Sequence, residues 1–290
     1  MPEPTTAQRP HETAAPRPGE TAPTLSEAVR RFDARASVRE LLAPARLGAD
    51  VARSLPRSIS AGRFPLEETI RQTWFTITVC TLPALAVCIP FGVILALQVN
   101  VLAQEVGATG FTGAGNTLAV VRQGAPIITA LMLAGVAGSA ICSELGERRI
   151  REELDALEVM GVRVVERVVL PRVIATVVVS ILLNGVVMFF SIVTTLLVSI
   201  VVQDLSAGGY LASVATLARP SDLMLSLVKA AIFGTVCAVI AAQKGMAARN
   251  GPSGVSDAVT SAVVTNFVAL FAANFVISQV QSTLVPGGVV

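Results

Sequence analysis

The stretch VIATVVVSILLNGVVMFFSIVTTLLVSIVVQ, residues 173–203, contains no Asp, Glu, Lys or Arg. Its apolar residues form one long run and do not alternate with polar residues at a period of 2 or 3.6. A run of about 20 uncharged, mostly apolar residues is long enough to cross the hydrocarbon core of a bilayer as an α-helix. This stretch therefore predicts a transmembrane helix.

The same character recurs elsewhere, because residues 72–104, 123–143 and 258–290 also lack all four charged residue types. Only 14% of the 290 residues are charged, against roughly 25% in an ordinary soluble domain. The sequence thus predicts an all-α polytopic membrane protein. Five spans are expected, at about 73–103, 119–142, 170–201, 223–243 and 257–283. In the first, Pro83 and Pro90 predict a kink, a steep tilt or protruding ends.

The N-terminal region differs from the spans. Residues 1–24 are rich in Pro, Thr and Ala, which predicts a disordered tail. Residues 25–71 are basic and partly apolar, and Thr24 and Glu27 have the spacing of a helix capping box. An amphipathic helix on the membrane surface and a partly ordered cytosolic tail both fit residues 25–45.

The distribution of Arg and Lys sets the expected orientation, since cytoplasmic loops carry an excess of both. The region before the first span is basic, and six arginines follow the second span: Arg148, Arg149, Arg151, Arg163, Arg167 and Arg172. Residues 104–118 and the tail after the fifth span have none. We therefore expect a cytoplasmic N-terminus and a C-terminus outside.

The segment ELGERRIREELDALEVMG, residues 144–161, is the most charged part of the chain. Read as one helix, it places Ile150, Leu154 and Leu157 on one stripe, with Met160 beside it. Glu144–Arg148 and Glu147–Arg151 would pair on the other surface, and Gly161 would end the helix. The pattern predicts a short amphipathic helix along the cytoplasmic face between spans two and three. A solvated loop helix that only maintains the topology is the alternative.

Most catalytic chemistry is excluded by what the spans lack. They contain no His, no pair of carboxylates and no HExxH motif, and the chain has no GxxxxGK[ST] loop for binding ATP. The four cysteines lie in apolar runs without CxxC spacing, so no metal site is expected. Arg122 and Lys229 are predicted to be interfacial or snorkelling residues, with a proton relay as the alternative. Transport would therefore depend on energy from another subunit.

Small residues in the second span are spaced by four. Ala130, Ala134 and Gly138 form a ridge that would allow another helix backbone to approach closely. A lipid-facing surface of small residues is the alternative.

Residues 122–172 closely resemble the MlaE/YrbE permease family of MCE lipid-transport systems. The matching features are Arg122, Pro126, Ala130, Ala134-Gly135, Gly138-Ser139-Ala140, Glu144-Leu145-Gly146, Glu152, Asp155-Ala156-Leu157, Gly161 and Pro171-Arg172. The resemblance extends more weakly to residues 91–98 and 251–264 and covers roughly 60–283. It identifies residues 72–290 as a permease domain preceded by an interfacial helix.

The resemblance implies the permease subunit of an ATP-driven, ABC-type transporter in the bacterial plasma membrane. A dimer of permeases would move lipids or fatty acids between the membrane and MCE-domain proteins. Two cytoplasmic ATPases would bind ATP and Mg²⁺, while this chain would have no catalytic residue, no cofactor and no nucleic-acid partner. The helix between spans two and three would be the coupling helix that contacts the ATPase. The residues expected there are Glu144, Arg148, Arg151, Glu152, Glu153, Asp155, Ala156, Leu157 and Gly161.

The first and fifth spans are expected to line the lipid pathway at the dimer interface. The residues assigned to it are Leu95, Gln98, Val99, Arg122, Asn266 and Asn274. Gln123, Val136 and Asn274 depart from the family pattern, which commonly has Glu, Arg and Asp there. Each departure removes a charge. Actinobacterial systems of the family use two different permease subunits, so we hypothesise a heterodimer with a paralogue that keeps some of these charges.

The residues leave two other functional classes open. An ion-coupled secondary transporter would need internal repeats and mid-membrane carboxylates, and neither is seen. A non-transporting membrane scaffold, whose charged helix only recruits a partner, would have equally uncharged spans.

Overall fold

The computed structural model describes residues 44–54, 66–202, 205–217, 219–249 and 251–284. Within these ranges the chain is helical and contains no strand. The predicted tail at 1–24, the capping box and most of the basic segment 25–71 lie outside the described residues.

Among the described residues, five helices are long and apolar enough to cross a membrane: α2 (Leu66–Glu105), α3 (Thr109–Ile150), α5 (Val165–Val201), α7 (Pro220–Met246) and α8 (Gly251–Leu284). The same ranges contain three shorter helices: α1 (44–54), α4 (Glu153–Val159) and α6 (Ala207–Leu217). Each of the five predicted spans falls within one of the long helices. The prediction of an all-α polytopic membrane protein is confirmed.

Helix α2 has 40 residues and continues through both Pro83 and Pro90. At 1.5 Å per residue it is about 60 Å long, roughly twice the thickness of a bilayer core. Its buried face is made of small or polar side chains spaced by four: Thr76, Cys80, Ala84, Cys88, Gly92, Ala96 and Asn100. This spacing places one narrow stripe of α2 in close contact with a neighbour, while residues beside the stripe are half-buried and the opposite side of the helix is exposed.

Helix α5 is the main neighbour of that stripe. A Cβ atom on Gly92 would lie 3.1 Å from Cβ of Thr194 and 3.3 Å from the Ser191 carbonyl oxygen. The two helices therefore approach closely because small residues face each other, as is usual between membrane helices.

Helix α3 is the most enclosed of the five and packs against α2, α5, α7 and α8. It contains two π-helical turns, Val120–Gly124 and Leu133–Ala137. Buried Asn184 of α5 ties the core together, since its side chain is 3.4 Å from Thr129 Oγ1 of α3 and donates to Ser226 Oγ of α7 at 2.9 Å. Such hydrogen bonds satisfy polar groups that lipid could not.

Helix α6 lies against the first turns of α3. Tyr210 is buried there, with its hydroxyl 3.1 Å from Thr195 Oγ1 of α5, and burial raises the pKa of the phenol. A Cβ atom on Gly113 would lie 2.6 Å from the Tyr210 carbonyl oxygen, so only glycine fits at this crossing.

Candidate functional site

The charged segment between spans two and three is two helices and not one. Helix α3 ends at Ile150, Glu152 adopts a left-handed conformation at φ 58° and ψ 14°, and α4 begins at Glu153. The prediction of one continuous helix over 144–161 is therefore wrong: Glu144, Glu147 and Arg148 belong to the end of α3. Gly161, at φ 75°, follows α4.

The break also changes the ion pairs. Arg149 pairs with Asp155 across the turn between α3 and α4. Glu144 and Arg148 form the predicted pair at 3.1 Å. In the described range 66–202 the expected Glu147–Arg151 pair does not form, because Arg151 follows the last turn of α3 and is exposed.

One face of α4 is anchored in the protein. Leu154 is 3% exposed and belongs to a core cluster that includes Leu145 of α3, Val168 and Leu170 of α5 and Val51 of α1. Leu157 packs against the same cluster, and Ile150 is half-buried. Helix α4 is thus held against the ends of the spans.

The opposite face of α4 is exposed and partly apolar. Ala156, Val159 and Met160 are three and four residues apart, so they share one side of the helix. Val159 is 89% exposed and Met160 67%. Glu152 and Glu153 are exposed beside them. Met160, expected beside the inner stripe, is exposed together with Ala156 and Val159. Val159 was not among the expected contact residues, although its spacing from Ala156 marks the same face.

A buried arginine holds the end of α3 that leads into α4. Arg172 of α5 is only 2% exposed, and it donates from Nε and Nη2 to the two carboxylate oxygens of Glu144 at 3.3 and 2.5 Å. Gln72 of α2 is 3.4 Å from the same carboxylate, and Arg172 Nη1 donates to the Val168 carbonyl at 2.7 Å. Glu144 therefore joins α2, α3 and α5 close to the turn that leads into α4.

A second polar cluster lies near the other end of the spans. Arg122, in the first π-helical turn of α3, pairs with Asp222 at the start of α7 at 2.9 Å. Lys229 of α7 donates to the Arg122 carbonyl and to Ser278 Oγ of α8, each at 3.1 Å. The carbonyl is available because Pro126, four residues later, has no N–H to donate to it.

Lys229 is 1% exposed, so the prediction that it snorkels to the interface is wrong. Its ammonium donates hydrogen bonds to a carbonyl and a hydroxyl contributed by two other helices, which replace part of its hydration. These partners are far apart in sequence, and the pattern around Lys229 gave no sign of them.

Next to this cluster, two of the positions that depart from the family pattern meet. Asn274 Nδ2 donates to Gln123 Oε1 at 3.4 Å, and Gln123 Nε2 donates to Ser278 Oγ at 3.3 Å. Gln123 is exposed, whereas Val136 lies partly buried against the core. The structure thus places a neutral amide pair on the surface of α3 and α8.

The other residues assigned to the lipid pathway are not gathered at one place. Gln98 is exposed on α2, while Leu95 and Val99 face α3 close to Gly124 and Gly115. Asn266 is fully buried, and its side chain lies where a Cβ atom on Gly138 would be 2.7 Å away. Asn266 therefore sits in helix packing in this chain. Ala130, Ala134 and Gly138 are also buried, with Gly138 between Cys237 of α7 and Asn266 of α8.

Comparison with known proteins gives this arrangement a family. The profile described as "Permease MlaE" matches residues 69–280, most of the chain. The chain belongs to the MlaE permease family. The resemblance noted in the sequence is confirmed, and the family is one of transport subunits.

Curated relatives agree with this assignment. "Probable ABC transporter permease protein slr1045" of Synechocystis is 33% identical over 64% of this chain and 71% of its own length. "Probable ABC transporter permease protein RC0129" of Rickettsia conorii is 30% identical over 72% of this chain and 81% of its own. "Protein TRIGALACTOSYLDIACYLGLYCEROL 1, chloroplastic" of Arabidopsis thaliana is 33% identical over 56% of this chain, and the match spans 46% of that protein.

Proposed function

We propose that this MlaE family permease is the membrane subunit of an ATP-driven lipid transporter in a bacterial plasma membrane. It moves lipids or fatty acids between that membrane and MCE-domain proteins outside the cell. The N-terminus and α4 face the cytoplasm, and the C-terminus lies outside. Two separate ATPase subunits bind ATP and Mg²⁺, while this chain contributes neither a catalytic residue nor a cofactor.

The observation that carries the proposal is the construction of α4. It is a short helix with one face anchored through Leu154 and the other exposing Ala156, Val159 and Met160. Large apolar side chains on an exposed face beside acidic residues are what an interface needs and a solvated loop does not. Glu144 and Arg172 connect the end of α3, just before α4, to α2 and α5. A movement of α4 is therefore transmitted to the spans.

Lipid as the cargo is supported by chemistry and by one relative. The Arabidopsis relative is named after trigalactosyldiacylglycerol, which is a lipid. The exposed surfaces of α2 and α8 are mostly apolar along the spans, and the amides of Gln123 on α3 and Asn274 on α8 beside them are uncharged. Acyl chains tolerate such a surface, whereas a stranded charge beside them would be costly.

Docking of the ATPase on α4 is tested by Val159→Glu in the complete transporter reconstituted in lipid. A carboxylate buried in an interface without a partner costs several kcal/mol, so we expect ATPase co-purification and lipid-stimulated ATP hydrolysis to fall at least about tenfold. Val106→Glu is the matched control, because Val106 is similarly exposed, at 79%, in the turn between α2 and α3. That turn lies at the other end of the spans.

Equal loss in both variants would point to general damage, and full activity in the Val159 variant would contradict docking on this face. The scaffold alternative is separated by the same assay, since a scaffold would bind its partner without any lipid-dependent ATP hydrolysis.

A further inference from the structure

A basic cleft opens beside α4, on the side away from its exposed face. It has a volume of about 610 Å³ and lies between the start of α2, the end of α3 and the start of α5. Four arginines and two glutamates are among its lining residues: Arg71, Arg148, Arg167, Arg172, Glu67 and Glu68. Ligand clefts in proteins have volumes of this order.

The charges in this cleft do not cancel. Arg71 pairs with Glu68 at 2.5 Å, and Arg148 and Arg172 share the single carboxylate of Glu144 behind the cleft. In the described part of the chain, the exposed guanidinium of Arg167 forms no ion pair. Counting Glu144 with the lining residues still leaves one net positive charge, on guanidinium groups that match phosphate oxygens in geometry.

An apolar strip leads from this cleft along α2. Leu66 lines the cleft, and Ile70 and Trp74 follow at intervals of four residues on the same face of the helix. They are 63%, 66% and 74% exposed. Tryptophan is favoured at the boundary between headgroups and acyl chains. The position of Trp74 favours headgroup depth for the cleft, with a surface for acyl chains beginning at its edge.

We infer that this cleft binds the phosphate of an anionic phospholipid from the leaflet on the α4 side, with the acyl chains along Ile70 and Trp74. The site is separate from the lipid pathway expected between permeases, and it does not depend on the proposed function. Basic pockets between membrane helices bind anionic headgroups by this chemistry. Because Leu157 of α4 also lines the cleft, a bound lipid contacts the helix on which the ATPase is proposed to dock.

The test is native mass spectrometry of the full chain purified in a nonionic detergent. Equal concentrations of dioctanoyl phosphatidylglycerol and dioctanoyl phosphatidylcholine are added, and the bound fractions are compared. We expect the anionic lipid to bind at least about fivefold more tightly, since each arginine near an anionic group contributes appreciably. Equal binding of the two lipids would overturn the inference. Displacement of the anionic lipid by inorganic phosphate at the same concentration would also do so, because free phosphate would then be the ligand.

The double substitution Arg71→Gln with Arg167→Gln removes two exposed guanidiniums from the cleft. It should weaken binding of phosphatidylglycerol about tenfold and leave phosphatidylcholine unaffected. Arg163→Gln with Arg219→Gln is the matched control. Both arginines are exposed and lie outside the cleft, and the two substitutions remove the same amount of charge. Equal losses in the two double variants would contradict a site at this cleft. The comparison of the two lipids on the unaltered chain stands whether or not a variant folds.

Discussion

At the scale of single residues, the ion pair between Glu144 and Arg172 is the buried polar contact that joins α3 to α5 near α4. The arginine is buried and its charge is compensated chiefly by this one carboxylate. Removing one partner of a buried ion pair costs about 3–5 kcal/mol, because the remaining charge is left without compensation. Glu144 is 34% exposed, so water can replace part of the lost interaction. We therefore expect Glu144→Gln to lower the free energy of unfolding by about 2–3 kcal/mol.

This prediction is measured as a melting temperature with a thiol-reactive dye. Cys80, Cys88, Cys142 and Cys237 are all free and buried, so the dye reports unfolding without an added label. Glu144→Gln should lower the midpoint by roughly 5–10 °C, given the usual shift of 2–4 °C per kcal/mol for a domain of this size. Glu147→Gln is the control: the same chemical change one turn later at an exposed residue should shift the midpoint by less than about 2 °C. Equal shifts would mean that the Glu144–Arg172 pair stabilises the fold no more than the exposed carboxylate of Glu147 does.

At the scale of secondary-structure elements, the break between α3 and α4 is tested at Glu152. An L-residue in the left-handed region costs roughly 1–2 kcal/mol, and glycine avoids that cost. In the interior of a continuous helix the order is reversed, since glycine is about 1 kcal/mol worse than alanine. Glu152→Gly should therefore be more stable than Glu152→Ala by about 1 kcal/mol in the same dye assay. Both variants lack the carboxylate, so their difference reports the backbone alone. If the alanine variant is the more stable one, the result would contradict the break and support a continuous helix through Glu152.

The elements also show what the sequence could and could not predict. The five spans were predictable because a bilayer core excludes charge, and each uncharged run marks a helix directly. The break at Glu152 was not, since neither Gly nor Pro stands there and helical spacing continues across it. The buried state of Lys229 was hidden for another reason: its partners, the Arg122 carbonyl and Ser278, come from helices distant in sequence. The small-residue stripe on α2 had a readable spacing of four but was not identified.

At the scale of the whole molecule, the five spans differ in how much of each is buried within the chain. In the most apolar part of α8 only 17% of the residues are buried, and in α2 28%, against 61% in α3. The neutral pair of Gln123 and Asn274 lies on the surface that α3 and α8 leave uncovered. A second permease placed against α8 would face these amides. If that subunit carries the charges missing here, each would find a hydrogen-bonding partner at the interface. This is the physical content of the heterodimer hypothesis.

The hypothesis predicts which protein a photo-crosslink on α8 captures. A benzophenone-bearing phenylalanine analogue replaces Phe275, which is 66% exposed on α8, in cells that express the whole transport system. Irradiation should yield a product whose mass is that of this chain plus a different permease subunit. The same analogue at Phe189 of α5, which is 63% exposed, is the matched control and should label lipid and no permease. A product of two copies of this chain from Phe275 would contradict the heterodimer, as would a stable homodimer of this chain alone with full ATPase coupling. Capture of the same subunit from Phe189 would remove α8 as the site of contact, because both faces of the chain would then be equally close to it.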